Sequence, residues 1–296
     1  MKSNILSILI VLIITTQLNA QSLNNEIAKE GETPYLLGKI DKNGLEGDNY
    51  ASWFTKNFED YKPNQKLVND IASELKTYSV TLFMGTWCGD SKKEVPKLYK
   101  VLEACDFPME RLTVVAVSRQ AGMYKQSPQH EESGLNIHRV PTVIFYKNGK
   151  EINRIVEHPV NTFEEDIKNI LTTNTYESNY QIVTEVDNII QSSGLKGLKK
   201  NERQLLKLYK DVVHSMYELN TYAYILFNTD RQIEAIEVSK INTKLFPKEP
   251  NTFISLANKL SRNGDTKKAV KALKKALKLD PENEQAQKSL EALKSK

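Results

Sequence analysis

Apolar residues in the first half of the chain follow two different periods. Leu67, Ile71 and Leu75 recur every four residues, which predicts one face of an amphipathic helix. Residues 79–85 (SVTLFMG) and 112–118 (LTVVAVS) are instead continuous runs rich in β-branched and apolar side chains. Runs of this length and composition predict buried strands.

Further elements follow the same logic. Residues 91–105 have a helical pattern that Pro96 should kink, because proline lacks the N–H that a helix needs. Asn148-Gly149 separates two strand-like runs and predicts a hairpin. Residues 161–171 predict a helix capped by Asn161. Together these elements predict an α/β domain.

The pattern of the C-terminal part predicts an all-helical structure that contains a repeat. Residues 176–220 carry two helical patterns, followed by two segments that correspond at a spacing of 34 residues. The corresponding pairs are Ala223 with Ala257, Leu226 with Leu260, Ala235 with Ala269, and Pro247 with Pro281. The first copy is degenerate, with Ser239 and Asn242 at two helix-contact positions, and residues 284–296 predict a capping helix.

Charge changes along the chain and supports a domain boundary. Residues 21–173 hold 19 Lys+Arg and 22 Asp+Glu, a net charge of −3, whereas residues 174–296 hold 21 and 15, a net charge of +6. We therefore expect four parts. They are a signal peptide at 1–20, an N-terminal segment at 21–33, the α/β domain at 34–173 and the helical domain at 174–296.

The N-terminus predicts export. Lys2 precedes an apolar run from Ile5 to Ile14, and Ala20 offers a cleavage site before Gln21. An uncleaved membrane anchor is the alternative, although the apolar run is short for one, and no later segment predicts a membrane span. We expect an exported, periplasmic protein. Its two cysteines are too few for a disulfide scaffold.

The turn TWCGDS carries the clearest candidate chemistry. Cys88 lies between a predicted strand and a predicted helix. At a helix N-terminus, unpaired N–H groups and the positive end of the helix dipole favour the reactive thiolate. A buried structural thiol is the alternative.

The order of these elements and motifs resembles the thioredoxin family over roughly residues 34–172, which implies a central mixed sheet flanked by helices. Four features carry the resemblance: Trp87-Cys88-Gly89 between strand and helix, Pro96 in the helix, Val140-Pro141-Thr142 before a strand, and the Asn148-Gly149 hairpin. The resemblance implies that Trp87 shields the sulfur and that Pro141 is a cis-proline opposite Cys88. It also implies that Val140 offers its backbone to a client peptide. Gly89 and Asp90 complete the expected client-binding surface.

The chain departs from the family's dithiol members. The position of the second, resolving cysteine holds Ser91, which cannot form a disulfide and could only donate a hydrogen bond to the Cys88 thiolate. Asp90 adds a charge that opposes the thiolate, and Leu82 stands where the family has a buried acid. Cys105 lies about 21 Å away if residues 91–105 form one helix, so we expect a packing thiol there.

The C-terminal repeat resembles the tetratricopeptide repeat, which implies stacked helices with a concave surface that binds peptides or protein partners. Simple stabilisation or self-association is the alternative. Four lysines share one predicted helix face, which is typical of a solvated surface rather than of nucleic-acid binding. They are Lys267, Lys271, Lys274 and Lys278.

Nothing in the sequence predicts a cofactor or metal. The four histidines have no metal-ligand spacing, and His138 is expected at the surface near Pro141. The favoured hypothesis is monothiol exchange with client proteins through Cys88 and Ser91, with an external thiol as reductant and a client or partner bound by the helical domain. A redox-inactive protein-binding adaptor is the competing hypothesis. Peroxide chemistry at Cys88 is a third and weaker hypothesis.

Overall fold

The computed structural model describes residues 22–173 and 175–295. Within these ranges an N-terminal part is built on a mixed sheet with helices, and a C-terminal part consists of helices. The predicted order of an α/β part followed by an all-α part is confirmed at this level. The predicted signal peptide lies outside the described residues, and no helix within them is long and apolar enough to cross a bilayer.

The N-terminal part contains two sheets. The strands β1 (Glu26–Ile27) and β2 (Tyr35–Leu36) form a separate antiparallel pair. The main sheet has the order β3-β5-β4-β6-β7, with only the β4–β5 pair parallel. Its strands are β3 (Gly38–Ile40), β4 (Ser79–Met84), β5 (Leu112–Ala116), β6 (Thr142–Lys147) and β7 (Lys150–Val156).

The pairing of β4 with β6 positions the candidate site. These strands are antiparallel, and Phe83 lies opposite Thr142. The end of β4, which leads to Cys88, therefore adjoins the start of β6, which Pro141 precedes. On the far side, Asn148 and Gly149 join β6 to β7 with φ angles of 53° and 76°, so the predicted hairpin turn is confirmed.

Five helices accompany the main sheet: α1 (Lys42–Leu45), α2 (Ala51–Asp60), α3 (Gln65–Leu75), α4 (Gly89–Ala104) and α5 (Phe163–Thr172). The cap of α5 is Thr162, whose hydroxyl accepts a hydrogen bond from the Glu165 N–H at 3.2 Å. The prediction of Asn161 as the cap is wrong by one residue. Asn161 instead donates its backbone N–H to the buried Asp166 carboxylate at 3.2 Å.

Helix α4 continues through Pro96. Proline cannot donate to the carbonyl four residues earlier, which belongs to Lys92. Asn57 of α2 donates its Nδ2–H to that carbonyl at 3.0 Å. The side chain of Asn57 thus replaces the backbone hydrogen bond that Pro96 removes, and α4 remains one element from Gly89 to Ala104.

The C-terminal part contains α6 (Gln181–Tyr209), α7 (Tyr217–Phe227), α8 (Gln232–Leu245), α9 (Pro250–Arg262), α10 (Thr266–Leu279) and α11 (Glu284–Lys294). Gly194 breaks α6 with φ 60° and ψ −165°, so α6 is two helical segments joined at a kink. The 34-residue correspondence has a structural counterpart, because the paired small residues are all buried in one apolar core: Ala223, Ala257, Ala235 and Ala269.

That core also contains apolar residues of α6, among them Ile182, Val186 and Leu198. Helix α6 therefore packs into the same core as the two segments that correspond at a spacing of 34 residues. Two repeats bury little apolar surface by themselves, and α6 supplies the additional surface that covers them.

Candidate active site

Cys88 occupies the cap position immediately before α4, in an extended backbone conformation. Its N–H donates to Gly85 O at 2.9 Å, and its own carbonyl accepts the first hydrogen bond of the helix, from Lys92 N–H at 3.0 Å. The side chain is partly exposed. The sulfur therefore lies at the end of α4 where unpaired N–H groups and the helix dipole favour negative charge.

The sulfur faces the segment before β6. The Val140–Pro141 peptide bond is cis. The Cys88 thiol donates to Val140 O at 3.2 Å, and a longer contact of 3.9 Å joins Sγ to the exposed Asp90 carboxylate. The sequence motifs TWCGD and VPT are thus brought into direct contact, 52 residues apart in the chain.

Ser91 has a different partner from the expected one. Its side chain is fully buried, and its hydroxyl oxygen accepts a hydrogen bond from the Gly85 N–H at 3.2 Å. No hydrogen bond joins Ser91 to Cys88 in the described part of the chain, so this detail of the prediction is corrected. The reason is geometric, because Ser91 projects toward the end of β4 and holds the turn that precedes Cys88.

Trp87 lies beside the sulfur and is fixed by two contacts. Its indole N–H donates to Val117 O at 2.8 Å, and its ring packs on Tyr124 with centroids 5.6 Å apart. Burial raises the pKa of Tyr124, and the neighbouring Cys88 raises it further. A Cβ on Gly85 would come within 2.6 Å of the indole ring, so glycine at this position makes room for Trp87.

Lys125 is a site residue that the sequence analysis missed. Only 5% of its surface is exposed, and its ammonium group donates to His138 O at 2.5 Å, two residues before Val140. Burial lowers the pKa of Lys125 to about 8, and the Arg139 charge lowers it too. Cys88, Glu157 and Asp90 raise the pKa of Lys125. The Lys125 ammonium group therefore interacts electrostatically with Cys88, the candidate nucleophile.

His138 is buried, so the prediction of a surface histidine is wrong. Its Nδ1 lies 3.2 Å from Asn136 O, and its ring meets the edges of Tyr180 and Tyr222. Burial is the largest cause that lowers the pKa of His138, to about 3. The imidazole is therefore neutral at physiological pH and acts as a packing group under the Val140 segment.

Cys105 lies directly after the far end of α4 and is completely buried. Burial raises the pKa of its thiol to about 11. The prediction of a packing thiol is confirmed. Cys105 cannot resolve a disulfide at Cys88, because the length of α4 separates the two sulfurs.

Helices of the C-terminal part contact the site directly. The Tyr224 ring of α7 packs edge-on against Tyr124 at 5.7 Å, and its hydroxyl donates to Ala121 O at 3.3 Å. Arg139, next to Val140, pairs with Glu157 at 3.0 Å and donates to Tyr217 O at 3.2 Å. Aromatic and charged contacts thus connect the helical part to both segments that flank Cys88.

No protein-family model matches the chain, and no curated protein matches it in sequence. No group of three or more potential metal ligands clusters within residues 22–173 and 175–295. The functional argument therefore rests on the geometry around Cys88.

Proposed function

We propose that this chain is an exported, thioredoxin-like protein that performs thiol–disulfide exchange with client proteins through the single thiol of Cys88. The observation that carries the proposal is the position of Sγ. It lies at the start of α4, partly exposed, and 3.2 Å from the carbonyl that precedes a cis-proline. This arrangement combines a partly exposed thiol at a helix N-terminus with a backbone acceptor for an extended peptide.

Within this chain, the proposed exchange changes covalent bonds at Cys88 alone. The Cys88 thiolate attacks one sulfur of a client disulfide. A bond between Cys88 and the client forms as the client's own S–S bond breaks, and the second client sulfur leaves as a thiolate that takes a proton from water. The number of disulfide bonds stays constant, so electrons balance.

Release of the client requires a thiol from outside the chain. Ser91, three residues after Cys88, carries a hydroxyl that cannot form a disulfide, and Cys105 is buried at the other end of α4. A free thiol of the client or a small-molecule thiol therefore attacks the mixed disulfide and displaces Cys88 as a thiolate. With the client's own thiol as the attacking group, the result is disulfide isomerisation.

The client is proposed to bind along the surface formed by Trp87, Gly89, Asp90 and the Val140–Pro141 segment. Gly89 and Asp90 are exposed at the first turn of α4, and Trp87 is partly exposed. The helical part, proposed to be tetratricopeptide-like, packs through Tyr224 on Tyr124, which in turn packs on Trp87 of this surface. It would recruit the client or a protein partner next to Cys88.

The experiment is capture of Cys88 adducts in the native compartment. Cells are quenched with acid and alkylated, and the protein is purified without reductant beside Cys88→Ala and Cys105→Ala variants. We expect covalent adducts that reductant releases, that Cys88→Ala abolishes and that Cys105→Ala retains. The Cys105→Ala variant controls for nonspecific oxidation of a thiol in the same chain.

A non-redox adaptor is the second candidate, favoured by the Asp90 carboxylate 3.9 Å from the sulfur, whose charge opposes the thiolate. In that case the same capture finds Cys88 free and slow to alkylate, while clients bind without a covalent bond. This result would reject thiol exchange and retain the client-binding surface.

A further inference from the structure

A cavity of about 530 Å³ opens between strand β7 and helix α6, where the two parts of the chain meet. This volume lies in the range of roughly 300–1,000 Å³ that is typical of small-molecule sites. Four carboxylates line the cavity, against the single cationic side chain of Arg154. They belong to Glu151, Glu177, Glu185 and Asp187. The lining is therefore predominantly acidic.

Two of these carboxylates are already paired within the protein. Arg154 donates two hydrogen bonds to Glu151, at 2.6 and 2.7 Å. Asp187 accepts a hydrogen bond from the Tyr222 hydroxyl at 2.7 Å, and its Oδ1 lies 3.5 Å from the Arg231 guanidinium. The charges of Glu151 and Asp187 are therefore largely balanced by neighbouring groups.

Glu177 and Glu185 are the carboxylates that the protein leaves unbalanced. Neither forms a salt bridge within residues 22–173 and 175–295. Both act on Tyr209, which also lines the cavity: burial raises the pKa of Tyr209, and Glu185 and Glu177 raise it further. An aromatic ring beside two unpaired carboxylates is a favourable environment for an organic cation.

The buried wall of the cavity supplies hydrogen-bond acceptors that the protein leaves unused. His138 lines this wall and is 4% exposed. Its Nδ1 lies 3.2 Å from the Asn136 carbonyl oxygen, which can only accept, so Nδ1 carries the proton and Nε2 has a free lone pair. No described residue donates to His138 Nε2, nor to the buried side-chain oxygen of Asn136. A ligand with N–H groups would satisfy these acceptors.

The distribution of these groups favours a ligand with nitrogen atoms at more than one position. Glu185 and Tyr209 belong to α6, and Glu177 precedes this helix, whereas His138 lies in the segment before β6. The charged groups and the neutral acceptor thus come from different elements of the lining. A flexible chain with two or more ammonium groups can contact both.

We propose that the cavity between β7 and α6 binds a small organic cation with more than one ammonium group, with Glu177 and Glu185 as its anionic ligands and His138 as the acceptor of a further N–H. A free polyamine and the lysine side chains of a polypeptide present this same chemistry. The full chain has a net charge of +4, which opposes long-range attraction of such a ligand. Recognition therefore depends on the local arrangement of the lining.

This inference goes beyond the proposed function and does not rest on it. Binding in the cavity needs no covalent bond at Cys88, so it should persist in a Cys88→Ser variant. Loss of cation binding and loss of thiol exchange are therefore separate results.

The test measures binding to the full chain by calorimetry. Spermidine and putrescine represent the free polyamines, with butanediol as the neutral control and butylamine as the control with a single ammonium group. A Gly/Ser peptide with two lysines and blocked ends represents the polypeptide, with a norleucine version as its control. We expect the polyamines or the lysine peptide to bind about tenfold more tightly than the neutral control, because charge-assisted hydrogen bonds exceed neutral ones. The probe that binds identifies the source of the ammonium groups.

A double variant assigns the binding to the cavity. Glu177→Gln combined with Glu185→Gln removes both unpaired charges and should weaken binding about tenfold. Both side chains are exposed, so this change should leave the fold intact. The matched control combines Glu282→Gln with Glu291→Gln, at two exposed residues outside the cavity, and should leave the affinity unchanged.

The variant His138→Phe tests the acceptor in the buried wall. In the unaltered protein putrescine should bind more tightly than butylamine, because its second ammonium group has an acceptor. His138→Phe should reduce this difference, since phenylalanine accepts no such hydrogen bond. The exposed glutamate variants keep the test decisive if His138→Phe does not fold.

Three results would overturn the proposal. The first is equal affinity for every ammonium probe and its neutral control. The second is full affinity in the Glu177→Gln, Glu185→Gln double variant. The third is an equal loss in the Glu282→Gln, Glu291→Gln control, which would indicate that net charge alone determines binding. Equal affinity for putrescine and butylamine in the unaltered protein would reject the role of His138.

Discussion

Lys125 is an ammonium group buried in the wall of the candidate site, and its hydrogen-bond partner is a neutral carbonyl. An anion that forms near a buried positive charge stabilises it, because little water screens the attraction between the two charges. The thiolate of Cys88 is an anion that the proposed chemistry itself generates. Lys125 would therefore offset the opposing charge of Asp90.

Replacement of Lys125 tests this role. We expect Lys125→Met to lower the rate of Cys88 alkylation by iodoacetamide at pH 7 about fivefold, which corresponds to the loss of about 1 kcal/mol of thiolate stabilisation. Lys259→Met is the matched control, because it removes an equally buried ammonium group from the other part of the chain. An unchanged or faster rate in Lys125→Met would exclude the role.

His138 predicts an acid-sensitive contribution to stability. Its pKa is about 3 in the folded protein and 6.5 in the unfolded reference, so the unfolded chain binds more protons between these values. Stability therefore falls as the pH drops through 6.5, by about 2 kcal/mol between pH 7 and pH 5 for one such group. Urea unfolding at several pH values measures this loss.

The variant His138→Phe should lose that part of the pH dependence, since phenylalanine has no proton to gain. His130→Gln, at an exposed histidine, should retain it. Parallel pH profiles of His138→Phe and the wild type would show that His138 is not the titrating group.

The position of Cys88 between a strand and a helix could be predicted because its setting is local. A strand end, a turn and a helix start lie within a few residues, and each has its own sequence signal. The burial of Lys125 and His138 could not, because it depends on how residues 117–140 pack between the sheet and α7. No period in that polar stretch distinguishes a buried lysine from an exposed one.

At the level of elements, Gly194 has a backbone conformation that requires glycine, and this residue forms the kink in α6. Its φ of 60° with ψ of −165° is a conformation that essentially only glycine adopts, and an added Cβ would meet no atom within 4 Å. The kink in α6 therefore depends on the backbone freedom of this glycine rather than on a packing contact.

Gly194→Ala should lower the free energy of unfolding by about 1–3 kcal/mol, because the added Cβ strains the backbone in this region. Gly122→Ala serves as the control, since Gly122 also has open space around it but a backbone conformation that alanine tolerates. Chemical unfolding followed by circular dichroism compares the two. Equal stability of Gly194→Ala and the wild type would contradict the argument.

Several elements followed from the sequence and others did not. The hairpin after β6 was predictable because Asn148-Gly149 suits a turn that needs two positive φ angles. Helix α2 was missing from the prediction, although Tyr50, Phe54 and Phe58 recur every four residues, which is the spacing of one helix face. The structure shows that α2 supports α4, because Asn57 of α2 donates the hydrogen bond that the Lys92 carbonyl lacks in α4.

At the scale of the whole molecule, the helical part forms one wall of the candidate site. Tyr224 of α7 packs on Tyr124 and thereby supports Trp87. Tyr180 at the start of α6 adds a ring that packs against His138 and under the Arg139 guanidinium. Residues more than 90 positions later in the sequence than Cys88 therefore support both segments that flank it.

Removal of the Tyr224 ring should open this wall. In Tyr224→Ala we expect alkylation of Cys88 by a bulky maleimide to rise between about twofold and tenfold, since one aromatic pair contributes about 0.5–1.5 kcal/mol. Tyr217→Ala is the control, because the Tyr217 ring is 56% exposed. The rate of alkylation by a small reagent such as iodoacetamide should rise less. Equal maleimide rates in Tyr224→Ala and Tyr217→Ala would contradict the expectation that the Tyr224 ring restricts access to Cys88.

The hydrogen bond from Cys88 to Val140 has a consequence for the order of events at the site. Only the protonated thiol can donate to this carbonyl, and a thiolate 3.2 Å from a carbonyl oxygen repels it. Ionisation of Cys88 therefore frees the Val140 carbonyl for another donor, such as the N–H of an extended peptide. By reciprocity, a peptide that occupies Val140 O displaces the thiol proton from its acceptor and favours the thiolate. In the proposed function, docking of a client peptide at Val140 and ionisation of Cys88 would therefore favour each other.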